Sequence, residues 1–111
     1  MVLILNPMNE LSVDELKKLL DSKTKLTILD VREESELNNG IIHGSIWIPM
    51  GQIPDRLAEL PKKDKIIVYC RSGGRSGRIA EYLEHQGFVD VSNLDGGILA
   101  WKKIDPKIIA Y

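Results

Sequence analysis

Short apolar runs alternate with stretches of helical spacing along this 111-residue chain. Runs at Leu3–Leu5, Leu26–Val31, Ile46–Ile48, Lys65–Tyr69 and Phe88–Leu94 predict strands, and continuous apolar runs of this kind suit a sheet covered on its faces. Between them, Val13, Leu16, Leu19 and Leu20 repeat at helical spacing. Ser12 precedes that stripe as an N-cap, and Glu15 completes a capping box. Glu33–Asn39 reads as a short helix closed by Gly40, and Ile53–Leu60 as a weaker helical pattern between Pro54 and Pro61. A helix beginning near Ser76 buries Ile79, Ala80 and Leu83 and ends at Gly87, and Gly97–Lys102 forms the last one. Alternation of this type predicts an α/β domain on a mainly parallel sheet. Without repeats or long linkers, the reading is a single domain over residues 1–111.

The chemistry concentrates where the run Ile66-Ile67-Val68-Tyr69 ends. Cys70, the sole cysteine, opens the loop Cys70-Arg71-Ser72-Gly73-Gly74-Arg75, and Ser76 begins the following helix. A thiol at that junction meets converging amides and the positive end of a helix dipole, both of which favour a thiolate and a bound anion. A free thiol ionises near about 8.5, and such surroundings lower that value. Gly73 and Gly74 allow the backbone to turn its N–H groups toward one point, while Arg71 and Arg75 add fixed positive charge. The pattern points to nucleophilic sulfur chemistry on an anionic substrate. An inert, buried structural cysteine would leave the neighbouring arginines and glycines without a reason.

Sites in open α/β sheets lie beyond the carboxyl ends of the strands. Asp30, Arg32 and Cys70 all fall at such ends and are expected to share one face. Asp30 and Arg32 read as a charged pair that orders nearby loops, ahead of any contact with substrate. Arg78, one turn into the helix, reads as a surface charge, and His43 and His85 as loop and helix-end residues. Trp47 and Trp101 read as core packing.

Composition narrows the partners. With 43% hydrophobic residues, 28% charged residues and a net charge of −1, nothing favours nucleic acid or an anionic membrane. A lone cysteine cannot form an internal disulfide, which suits a reducing compartment. Met1-Val2-Leu3-Ile4-Leu5 is apolar but has no basic leader and stops at Asn6-Pro7, too short for a signal peptide or a span, so a cytoplasmic protein is expected. The apolar Ile108-Ile109 tail fits docking on the body or a subunit contact equally well.

The loop from Cys70 to Ser76 resembles the active-site loop of single-domain rhodaneses, the sulfurtransferase family. Leu29-Asp30-Val31-Arg32 is similar to the family's strand-end motif. The segment from Gly40 to Pro49 resembles its Gly-His-Ile-x-Gly-Ala-x-x-Ile-Pro segment, and the segment from Leu94 to Trp101 its closing Gly-Gly-x-x-x-Trp motif. Two positions depart from the pattern. Ile41 replaces the usual histidine, with His43 displaced, and Leu37 stands where an aromatic residue is usual. The first removes any basis for assigning a catalytic histidine.

The resemblance implies a central, mainly parallel five-stranded sheet with helices on both faces. It implies that the Cys70 thiolate takes the outer sulfur of a donor such as thiosulfate and passes it, as a persulfide, to cyanide, a thiol or a sulfur-carrier protein. Arg71, Ser72, Gly73, Gly74, Arg75 and Ser76 would form the substrate-binding loop, with Asp30 and Arg32 in support and no metal or organic cofactor. Arg71 and Arg75 would bind the donor's sulfonate end. Two alternatives stay open. One is a relay module passing persulfide between proteins with little small-molecule turnover. The other is a cysteine phosphatase or arsenate reductase, for which an arginine would be needed where Ser76 stands.

Overall fold

The computed structural model describes residues 9–105. Five strands, β1 (Glu10–Leu11), β2 (Leu26–Asp30), β3 (Ile46–Trp47), β4 (Lys65–Tyr69) and β5 (Asp90–Leu94), form one sheet in the order β1-β5-β4-β2-β3. Every neighbouring pair is parallel. Three α-helices, α1 (Val13–Asp21), α2 (Gly74–His85) and α3 (Gly97–Ile104), cover the faces. The expected strand Leu3–Leu5 and the Ile108-Ile109 tail lie outside the described residues, as does the segment Met1 to Pro7. The edge beside β5 is held by β1.

Side-chain parity along β4 divides the core. Ile66, Val68 and Cys70 point to the face of α2, where they pack with Leu29, Val31, Ile79, Ala80 and Leu83. Ile67 and Tyr69 point to the opposite face and pack with Leu16 of α1 and Ile98 and Trp101 of α3. The cysteine therefore emerges on the α2 side because it lies an even number of residues from Ile66. β2 runs alongside in register, with Leu29 beside Val68 and Asp30 beside Tyr69, so the carboxyl ends of both strands reach the same edge.

Local signals act as the sequence predicts over most of the chain. Ser12 accepts a hydrogen bond from the Glu15 N–H while the Glu15 carboxylate accepts from the Ser12 N–H, closing the capping box of α1. Glu34–Asn39 forms a 3₁₀ helix that stops at Gly40. The segment Ile53–Leu60 departs from expectation: two short 3₁₀ turns, Met50–Gln52 and Leu57–Glu59, replace a helix. Pro54 has no N–H to extend a helical ladder, and only Ile53 and Leu60 are buried, so the segment is pinned at two points. No helix among the described residues is long and apolar enough to cross a membrane.

Candidate active site

β4 delivers Cys70 to the edge of the sheet, and α2 begins at Gly74, earlier than the helix start expected near Ser76. The turn between them depends on Gly73, whose φ of 114° lies in the region a side chain disfavours. In that conformation the Gly73 N–H points back and donates to Cys70 Sγ at 3.1 Å. Ser76, in the first turn of α2, places its hydroxyl 3.3 Å from the same sulfur and 2.5 Å from Asn93 Oδ1. Cys70 is 1% exposed, so the sulfur sits at the base of this cradle rather than on the surface.

Burial pushes the Cys70 thiol up. The Ser76 hydroxyl opposes it, followed by the N–H groups of Ser76, Gly73 and Ser72, and together they hold the thiol below its ordinary value. Hydroxyl and amide donors thus lead, where the sequence reading had given the flanking arginines an equal share. Arg71 is exposed and makes no ion pair among the described residues. Arg75 turns its fork onto Glu36, with Nη1–Oε1 at 2.6 Å and Nη2–Oε2 at 2.8 Å. The Arg75 hydrogen bonds hold the Glu36 carboxyl down at about 2, and the Glu36 carboxylate, with smaller help from the charge at Cys70, raises Arg75. Ser72 and Gly74 are exposed on the rim, and Gly73 is half-buried.

Asp30 and Arg32 form a buried pair behind the loop. Arg32 donates to Asp30 Oδ2 at 2.8 Å, to the Gly40 carbonyl at 2.8 Å and to the Glu36 carbonyl at 3.2 Å. Burial works against the charged guanidinium, but the hydrogen bonds and charge of Asp30 outweigh it and keep Arg32 ionised. The pair fixes the backbone that carries Glu36, and Glu36 in turn holds Arg75. From the other side, α3 seals the start of the loop. Its Ile98 N–H donates to the Cys70 carbonyl at 3.0 Å, and its Leu99 N–H donates to the Arg71 carbonyl at 3.2 Å. Gly97 lets that helix approach, since a Cβ there would stand 2.5 Å from both carbonyl oxygens.

Beside the loop lies a hollow of about 220 Å³ lined by Arg71, Glu36, Asn39, Ile98, Leu99 and Lys102, with Arg32 at its back. His43 lines a different hollow, with Lys17, Leu20 and Trp101, away from the Cys70 loop. His85 and Arg78 are exposed on α2. No cluster of His, Cys, Asp or Glu that could hold a metal occurs among the described residues. Asn93 and the Glu36 fork are the parts that sequence reasoning missed. The signal for Asn93 was its parity with Val91 in β5, which turns a polar side chain toward α2.

The sequence profile of the family described as "Rhodanese-like domain" matches residues 12–104. A sulfurtransferase of Allochromatium vinosum is 37% identical over 102 residues, which is 92% of this chain and 95% of that protein. The thiosulfate sulfurtransferase GlpE of Shewanella oneidensis is 34% identical over 91 residues, 82% of this chain and 89% of its own. Among solved structures, a rhodanese-like domain protein from Staphylococcus aureus superposes with a TM-score of 0.84 at 36% identity, covering 94% of this chain and 99% of that one.

Proposed function

This chain belongs to the rhodanese-like domain family, and from that premise we propose that it is a sulfurtransferase that moves sulfane sulfur from a small anionic donor such as thiosulfate to a thiophilic acceptor through a persulfide on Cys70. The observation that carries the reading is the cradle itself: a buried sulfur accepting a hydrogen bond from the Gly73 N–H at 3.1 Å, with a hydroxyl at 3.3 Å. Donors at those positions stabilise negative sulfur before any reaction begins. In the first step the Cys70 thiolate attacks the outer sulfur of thiosulfate. The sulfur–sulfur bond of the donor breaks, and sulfite leaves with its electron pair. In the second step an acceptor, whether cyanide, a thiol or a sulfur-carrier protein, attacks the outer sulfur of the persulfide, and the Cys70 thiolate is released. Covalent catalysis divides one difficult transfer into two displacements.

Arg71, a loop cation with no ion pair among the described residues, meets the donor's sulfonate end, because the Arg75 fork is engaged by Glu36. Arg75 acts by anchoring the first turn of α2 and by its charge near Cys70. A phosphatase reading is disfavoured because the position where an arginine would enclose a phosphate is Ser76, fully buried and directed at the sulfur. Intact mass spectrometry after incubation with thiosulfate is expected to show a gain of one sulfur atom, reversed by cyanide. Cys70→Ser, a small substitution, should retain the fold by circular dichroism and take up no sulfur. Sulfur uptake by that variant would refute the proposal.

A further inference from the structure

The Ser76 hydroxyl has two acceptors and one proton. Asn93 Oδ1 lies at 2.5 Å and Cys70 Sγ at 3.3 Å. The orientation of the Asn93 amide is set independently: its Nδ2 donates to the Gly73 carbonyl at 3.0 Å and to Glu10 Oε1 at 3.3 Å. Its oxygen therefore faces Ser76 and has that hydroxyl as its sole partner among the described residues. Ser76 is fully buried and Asn93 is 3% exposed, so bulk water cannot easily replace whichever bond is given up.

We propose that Asn93 is a positioning residue that competes with the Cys70 sulfur for the single proton of Ser76, holding it while the sulfur is protonated or loaded and yielding it when the sulfur is a bare thiolate. With Cys70 protonated, the thiol donates to Ser76 Oγ and the hydroxyl donates to Asn93, so every group is satisfied. When Cys70 ionises, the hydroxyl turns to Sγ and the Asn93 carbonyl is left without a donor. Asn93 thereby sets an upper limit on how far the cradle stabilises the free thiolate, which keeps that thiolate nucleophilic. Once a second sulfur is attached, the charge moves outward, and the hydroxyl returns to Asn93. This consequence rests on the sulfurtransferase reading, but the proton competition does not.

Other charges surround the site. Arg75 stands on α2 with Glu36 bound to it, Arg71 stands on the loop, and Glu10 of β1 reaches Asn93 from the far side. None of these charges is removed in the variants below, and Asn93→Leu takes only its own amide away from Glu10. The test is the pH dependence of Cys70 alkylation by iodoacetamide, which requires no sulfur donor. Ser76→Ala should raise the apparent thiol pKa by about one unit, and Asn93→Leu should lower it by about one unit, roughly a tenfold change in thiolate below the pKa. In the Ser76→Ala background, Asn93→Leu should have much the smaller effect, because only the loss of its Gly73 and Glu10 contacts then remains. A rise with Asn93→Leu, no change, or an equal shift in both backgrounds would overturn the proposal. Should Asn93→Leu fail to fold, the infrared S–H stretch of the sole cysteine decides. Donation to Ser76 places it at lower frequency than in Ser76→Ala, and coincident bands would refute the arrangement. A protein with the expected shifts but no sulfur uptake would refute the proposed function alone.

Discussion

Arg32 directs its guanidinium entirely inward. It donates to the Asp30 carboxylate and to the carbonyls of Glu36 and Gly40, lies 5.5 Å above the Tyr69 ring, and is 1% exposed. Its own carbonyl accepts the Trp47 indole N–H at 2.8 Å. The sequence placed Asp30 and Arg32 at the active edge and favoured loop ordering over substrate contact, and the geometry gives that ordering a route to the loop. Arg32 fixes the backbone of Glu36, and the Glu36 carboxylate holds Arg75 at the first turn of α2. The length of this chain of contacts is not readable from residue spacing, because Glu36 and Arg75 are 39 positions apart. Replacing Arg32 by Met would leave the Asp30 carboxylate buried without its cation, a cost of about 3–5 kcal/mol. Urea unfolding should show that loss. Adding Asp30→Asn should recover part but not all of it, since the Glu36 and Gly40 carbonyls still lack their donor. Full stability in the single variant would show that the pair is dispensable.

At the scale of elements, what was legible followed from strong local signals. The apolar run ending at Tyr69, the capping box at Ser12 and the glycines at Gly40 and Gly87 each act through neighbours in sequence, so pattern was sufficient. β1 was not legible because a strand of two residues, Glu10 and Leu11, has no period to detect. The segment around Pro54 carried enough apolar residues to suggest a helix but lacked the backbone donors to build one. Asn93 lay between these cases. Parity placed it on the face of α2, but its meeting with Ser76 depends on the register that sets Asn93 beside Val68. The Gly-Gly pair at the start of α3 shows an element meeting a constraint imposed by another. Gly97 has φ of 57° and no room for a Cβ against the Cys70 and Arg71 carbonyls. Gly97→Ala should therefore destabilise the fold by about 3 kcal/mol and displace the start of the loop, lowering sulfur transfer as well. Gly51→Ala is the control, since nothing lies within 4 Å of its added Cβ. Equal melting temperatures for the two variants would contradict this account of the α3 contact.

For the molecule as a whole, acid is the condition that tests how the loop is tied to the sheet. The Glu36–Arg75 fork joins the 3₁₀ helix after β2 to the first turn of α2, linking segments that no strand pairing connects directly. Arg75 holds the folded Glu36 carboxyl at about 2, against an ordinary value of 4.5. Below about 4.5 the unfolded chain takes up a proton there that the folded chain still refuses. The contribution of Glu36 is thus present in full above that pH, declines as the pH falls, and is gone below about 2. The pair is partly exposed, with side-chain accessibilities of 36% for Arg75 and 23% for Glu36, so its contribution is about 1 kcal/mol. Comparison with Glu36→Gln isolates it, because every other carboxylate titrates in both proteins. The difference in unfolding free energy should be constant from pH 7 to about 5 and then narrow as the pH falls toward 2. A difference that stays constant down to pH 2 would mean that the fork does not link the two segments in solution.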